Sequence, residues 1–217
     1  YKHGMFSEAV LRFENIFKYD TKHRFAAIAA TMIMDSYYRV RNWDQVEEWA
    51  RKLIRERNFL FKSKNDLEMI IATSILLKAK DFETEGKTSA SIVELNRLQK
   101  EFRKNKAIMA GVTYTLAYLY ARAKDLPRAI EKYEELIRKY PKSPKAAEAQ
   151  FVIAEIYEAQ TQFRKAAEAF MAMKKFKDGE QTARAIINAS TIYQSLGDLD
   201  ATIASLKTLL KLFPKHK

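Results

Sequence analysis

Apolar and polar positions alternate along this chain with a helical period, and that pattern itself recurs. Three segments show it best: Asp125 to Pro141 (DLPRAIEKYEELIRKYP), Gln162 to Asp178 (QFRKAAEAFMAMKKFKD) and Asp198 to Pro214 (DLDATIASLKTLLKLFP). Each carries a small residue (Ala129, Ala166, Thr202), a large one four later (Tyr133, Phe170, Leu206) and an apolar one three beyond that (Leu136, Met173, Leu209). Steps of four and three lay these residues as one stripe on a helix. The stretch before each segment follows its own rule. A small residue at Ala117, Ala154 or Ser190 is followed three later by Tyr120, Tyr157 or Tyr193, and then by a short turn, clearest at Gly197-Asp198. Small residues let two helices approach, and the tyrosine wedges against the partner. The unit is therefore a helix, a turn and a helix, repeated about every 37 residues.

The pattern continues upstream. Gly4 to Asp20 reads as a second helix with Ala9, Phe13 and Ile16 in its stripe. Ala26 to Ile54 reads as a pair turning near Asn42-Trp43, and the stretch from Asp66 to Phe102 as another turning near Gly86. Equivalent positions lie 36 to 38 apart except for one step of about 45, whose extra residues fall around Arg57 to Asp66. A longer loop is expected there, and a longer helix after it. The expected units are a half repeat over 1–23 and pairs over 24–60, 61–106, 107–143, 144–180 and 181–217, making one array over 1–217. A half repeat leaves an apolar face uncovered, so the native protein is expected to continue N-terminally. Between pairs, Tyr140-Pro141 and Phe213-Pro214 close second helices. Ser143 is the expected N-cap of the following helix, with Pro144 at its first position, where a missing N–H costs little.

A small residue, an aromatic, a turn, an alanine, an aromatic and a closing proline, met at Ala117, Tyr120, Ala129, Tyr133 and Pro141 and again at Ala154, Tyr157, Ala166 and Phe170, resemble the tetratricopeptide repeat. The third copy keeps Tyr193, Gly197 and Pro214 but has Thr202 for the alanine. The resemblance implies an all-α, right-handed superhelical solenoid of antiparallel helix pairs, about five of them after the half repeat. Repeat spacing and the Tyr140 to Phe151 junction are similar to bacterial cell-envelope members of that family, namely outer-membrane assembly lipoproteins and periplasmic coordinators. That likeness implies a periplasmic or outer-membrane-associated setting, with the cytoplasm as the alternative. In the family a concave face lined by first helices holds a peptide or partner protein. Its exposed positions here are expected to be Met32, Asp35, Tyr38, Lys80, Tyr114, Tyr118, Arg122, Phe151, Glu155, Glu158 and Asn188, with Tyr114, Tyr118 and Phe151 as an aromatic patch. Relatives that clamp a C-terminal carboxylate use a set of groove Lys and Asn residues, of which this sequence offers Arg184 and Asn188 without the rest.

Composition agrees with long helices: among 217 residues only 5 are glycine and 4 proline, too few for the turns of an all-β domain. The absence of cysteine removes disulfides, thiolate nucleophiles and Cys-ligated zinc. No apolar run approaches the length of a membrane span; the longest is Met69 to Leu77.

The net charge of +12 is spread along the chain. It has a local pattern nonetheless, because basic residues gather where second helices end. Arg103, Lys104 and Lys106; Arg138, Lys139, Lys142 and Lys145; and Lys174, Lys175 and Lys177 would align as a basic edge if the repeats stack. One reading is helix-end stabilisation, since cations near a helix C-terminus oppose its dipole. The other is an anionic partner, either an acidic protein surface or membrane headgroups. Nucleic acid fits less well, because base-stacking aromatics are not interleaved with the basic residues.

Catalytic constellations are missing. The histidines are His3, His23 and His216, and there is no HExxH, glycine-rich phosphate loop or GxSxG. Glu155 and Glu158 lie one turn apart, a spacing that can support acid/base work but usually marks a solvated helix face. The sequence thus reads as a non-enzymatic, cofactor-free interaction scaffold for a protein or peptide. Its alternatives are an assembly module docking through the basic edge and a nucleic-acid-binding regulator; the oligomeric state is left open.

Overall fold

In the computed structural model of the chain, residues 6–19, 24–56, 63–176 and 179–214 are described. All their regular structure is helical: α1 (Phe6–Tyr19), α2 (Arg24–Arg39), α3 (Trp43–Arg55), α4 (Lys64–Thr84), α5 (Thr88–Glu101), α6 (Lys106–Arg122), α7 (Leu126–Lys139), α8 (Lys145–Ala159), α9 (Phe163–Met171), α10 (Gly179–Ser195) and α11 (Leu199–Leu212). A 3-10 turn, Ala172–Lys175, follows α9. The second helix expected over 162–178 is therefore shorter and ends in tighter winding. The helices form two compact units, Tyr1–Arg103 and Lys104–Lys217. Within each, consecutive helices pack on one another.

The repeat is written most clearly in the backbone of its turns. Arg41, Gly86, Lys124, Thr161 and Gly197 have φ of 58°, 75°, 63°, 58° and 74°. All five are the left-handed residue that ends a first helix, and they hold the period of 36 to 38 with the single longer step. At each, the next residue's N–H donates back to the carbonyl of an aromatic on the first helix: Asn42 to Tyr37 (2.9 Å), Lys87 to Phe82 (2.8 Å), Asp125 to Tyr120 (2.9 Å), Gln162 to Tyr157 (2.9 Å) and Asp198 to Tyr193 (2.9 Å). At all five turns that same residue is the N-cap of the next helix, and at three of them its side chain completes the cap. Asn42, Asp125 and Asp198 accept at their side-chain oxygens from the N–H of Gln45, Arg128 and Ala201, at 3.3, 3.2 and 3.1 Å. One residue thus ends one helix and starts the next, which is why the pairs are tight and antiparallel.

The long step between the second and third turns has a local cause. At 21 residues α4 exceeds the other first helices, as expected, and begins with a reciprocal cap between Ser63 and Asp66. The loop expected before it lies mostly outside the described residues. At the later junction the hydrogen-bonded helix α8 begins at Lys145, while Pro144 already has helical dihedrals (φ −59°, ψ −22°) and Ser143 Oγ accepts from Lys145 N–H at 3.3 Å.

The stripes form the core. Ala129, Tyr133 and Leu136 on α7, with Ala166 and Phe170 on α9, are buried together with Met173. Burial pushes the Tyr133 hydroxyl up to about 12. On α1 the stripe differs from expectation: Val10 and Phe17 are the buried pair, while Ile16 is exposed. Phe17 stands edge-on to Trp49 of α3 at 5.4 Å, so the aromatic partner one helix away decides which face turns inward. On α11 the stripe fails differently, because Leu206, the counterpart of Tyr133 and Phe170, lies 43% exposed.

In the first unit a charge network ties three helices together. Glu47 on α3, itself buried, accepts from Arg51 at 2.8 Å and from both terminal nitrogens of Arg97 on α5 at 2.8 and 2.7 Å. Arg51 reaches on to Glu101 (2.7 Å), and Arg97 to Glu94 (2.8 Å). Lys78 of α4 joins Glu94 (2.9 Å) to Asp44 (2.7 Å). Burial alone would push the Glu47 carboxyl up, but the hydrogen bonds from Arg97 and Arg51 outweigh it and hold it below the usual range.

Candidate functional site

In the second unit the expected first-helix positions lie on α6, α8 and α10. Tyr118 is 41% exposed, one helical turn before exposed Arg122, whose guanidinium lies 5.8 Å from its ring. Glu155 and Glu158 are exposed on α8. Burial pushes the Glu155 carboxyl above its ordinary value; Arg184 opposes that shift and Glu158 adds to it. Asn188 on α10 is half-buried.

Two of the three expected patch aromatics have structural employment. Phe151 is only 5% exposed, edge-on to Phe170 at 5.2 Å, with the Arg184 guanidinium 4.8 Å from its ring. It belongs to the core, which corrects the expectation of an open aromatic patch. The reason is geometric: from α8 it reaches the second-helix stripe on α9, and cluster residues Ala185 and Ala189 of α10 leave room for it. Tyr114 is half-buried. Its hydroxyl donates to Glu148, its ring meets Tyr133 edge-on at 5.7 Å, and Lys145 Nζ lies 4.7 Å from that ring. Burial, then Glu148, raises the Tyr114 hydroxyl. Tyr118 is left as the accessible aromatic of the three.

The first unit carries the other expected positions. Tyr38 is exposed and edge-on to Trp43 at 5.1 Å, beside a small cavity of about 200 Å³ that Met69, Ile70 and Thr73 also line. Asp35 accepts from Arg39 at 2.8 Å; Met32 is half-buried and Lys80 exposed.

The expected basic edge is exposed at Arg103, Lys104, Lys106, Arg138, Lys139, Lys142, Lys145, Lys174 and Lys175, while Lys177 lies outside the described residues. Several of these do end helices: Arg138 and Lys139 close α7, and Lys174 and Lys175 close the 3-10 turn. Lys175 also donates to Gln150 of α8 at 3.0 Å, and burial lowers its ammonium. Lys106 and Lys145 are different. They open α6 and α8, where the helix dipole disfavours a cation. Glu148, at 2.6 Å, compensates Lys145. With Lys139 and Lys142 they rim a cleft of about 560 Å³ whose walls include Tyr140, Pro141 and Pro144.

What sequence reading missed was long-range polar pairing. Glu47 with Arg97, and Asp81 with Trp43 Nε1 at 2.6 Å, leave no mark at helical spacing. The one available signal was a glutamate among the apolar residues of α3.

Two family models, both described as tetratricopeptide repeat, match residues 77–180 and 183–216. Among curated proteins none matches. Solved structures similar to this chain include MamA AMB-1, at 11% identity, TM-score 0.51, covering 90% of this chain and 96% of that one. A second MamA protein matches at 18% identity, TM-score 0.50, covering 86% and 91%. BtubC (BKLC) from P. vanneervenii is similar at 14% identity, TM-score 0.49, covering 98% and 91%. At these identities the two MamA likenesses speak to the fold.

Proposed function

This chain belongs to the tetratricopeptide-repeat family, and we propose that it is a non-enzymatic scaffold holding a peptide or partner protein on its first-helix face. The observation that carries this reading is the pairing of an exposed aromatic with a carboxylate pair on successive first helices, Tyr118 with Arg122 on α6 and Glu155 with Glu158 on α8. A half-exposed tyrosine offers large contact area at low entropic cost. Two exposed carboxylates one turn apart, each disfavouring the other's charge, favour a cation between them. The ligand chemistry that fits is an apolar or aromatic side chain flanked by a lysine or arginine. A bacterial-envelope setting rests on the Tyr140 to Phe151 junction and the repeat spacing, and cell fractionation tests it.

The test is a pull-down read by mass spectrometry, comparing the wild type with Tyr118→Ala/Glu155→Gln/Glu158→Gln. All three residues are exposed, so the variant keeps its core. A partner held by the wild type and lost by the variant supports the reading; identical partner sets sink it.

Docking of an anionic surface through the basic edge is the second reading. Lys106 and Lys145 favour it, because they sit at helix starts where end-stabilisation gives no reason for a cation. In that case partner binding weakens steeply as salt rises and survives Tyr118→Ala, whereas binding on the first-helix face is lost with Tyr118→Ala.

A further inference from the structure

Helix α11 buries its polar side and exposes its apolar one. Thr202 and Ser205 are buried as α11 packs on α10, while Leu199, Ile203, Leu206 and Leu210 are 66%, 51%, 43% and 64% exposed. The exposed four recur at steps of four, three and four, the narrow seam of a two-helix coiled coil rather than a broad core-facing stripe. The repeat register explains what the face is shaped for. Leu206 occupies the position of Phe170, and Phe170 is sealed in a cluster that includes Ala185 and Ala189 of the following first helix, α10. The outer face of α11 therefore has the form of a helix-receiving surface.

The charges beside the seam indicate which helix. Asp200 and Lys207 both follow seam residues directly and so lie along the same flank. Neither is ion-paired among the described residues. When a second α11 is laid antiparallel on the first, with Leu199 opposite Leu210 and Ile203 opposite Leu206, the two flanks meet. Asp200 of each copy then comes within about 3 Å, along the axis, of Lys207 of the other, since each residue advances about 1.5 Å. A parallel arrangement sets that flank against Thr202 and Leu209 and forms no ion pair. We propose that α11 is a self-association surface whose occupant is α11 of a second copy of this chain, antiparallel about a two-fold axis. The leucine and isoleucine seam supplies the attraction and the Asp200–Lys207 pairs set the direction. This inference goes beyond the scaffold reading and does not depend on it, because the partner-binding residues lie on other helices.

A one-helix interface is smaller than the about 800 Å² per partner of a standard interface, so the association is weak and grows with concentration. Sedimentation equilibrium of the 217-residue chain over a wide concentration range is expected to show a monomer–dimer equilibrium. Leu206→Asp/Leu210→Asp should weaken it by more than about tenfold. Asp200→Lys and Lys207→Asp should each weaken it about fivefold, and the double reversal Asp200→Lys/Lys207→Asp should restore it. Circular dichroism melts check that each variant stays folded, with Leu206→Gln/Leu210→Gln replacing the aspartate pair if that pair lowers the melting temperature. A wild type that stays monomeric throughout overturns the proposal, as does association that survives the loss of the leucines. A double reversal no stronger than its single parents overturns the antiparallel register.

Discussion

Glu47 and Arg97 stand 50 residues apart in sequence, yet the carboxylate of one, on α3, takes both terminal nitrogens of the other, on α5, at 2.8 and 2.7 Å. The pair joins the second helices α3 and α5 of the first unit, with Arg51 as a third member. Removing the carboxylate leaves two guanidiniums facing each other. Both are more than a third exposed and can turn to water, which tempers the loss. Glu47→Ala is expected to lower stability by about 2 kcal/mol, between the values for exposed and buried pairs. Urea denaturation of wild type and variant measures it.

Acid should act through the same group. The folded-state pKa of Glu47 lies below its unfolded value of 4.5, so its contribution is fully present above that value. It is lost as pH falls through the lower, folded pKa. Glu135 and Glu148, also held low by lysine hydrogen bonds against the opposing effect of burial, contribute in the same direction. Thermal melts should therefore show stability falling below about pH 4.5, and less steeply in Glu47→Gln, which has no charge to lose.

Three of the five turns place a residue with a side chain in the left-handed region, and Thr161 is the β-branched one. Thr161→Gly is expected to stabilise the second unit by about 1 kcal/mol, as relief of the left-handed penalty exceeds the entropy of added glycine. At Gly197, with φ 74° and open space around a would-be Cβ, alanine should cost about 1 kcal/mol through backbone strain alone. Chemical denaturation of both variants gives opposite signs if the turns are as described.

Phe170 and Leu206 share one repeat position and should respond oppositely. Phe170→Ala opens a cavity in a sealed cluster and is expected to cost about 4 kcal/mol. Leu206→Ala, at a solvent-facing site, should stay within about 0.5 kcal/mol of wild type in the monomer. Melting temperatures at low protein concentration separate the two.

Tyr118 and Phe151 should also part in their responses. Tyr118→Ala should reduce partner binding without lowering the melting temperature. Phe151→Ala should lower the melting temperature, because it empties the ring contact with Phe170. Measuring both quantities for both variants distinguishes a binding residue from a core one.

Periodicity alone determined the helices, their pairing and the step between repeats. Spacings of three and four residues place a stripe on a helix whatever else surrounds it, and the aromatic before each turn recurs at 37, 82, 120, 157 and 193. It could not say which stripe residue is covered. Phe170, Leu206 and the displaced stripe of α1 share the pattern and differ only in what lies against them. Nor could it find Glu47 with Arg97, or turn Phe151 inward, since those outcomes depend on helices far along the chain. Local spacing reports which way a side chain leaves its own helix, and only packing decides whether another helix, a counter-ion or water meets it there.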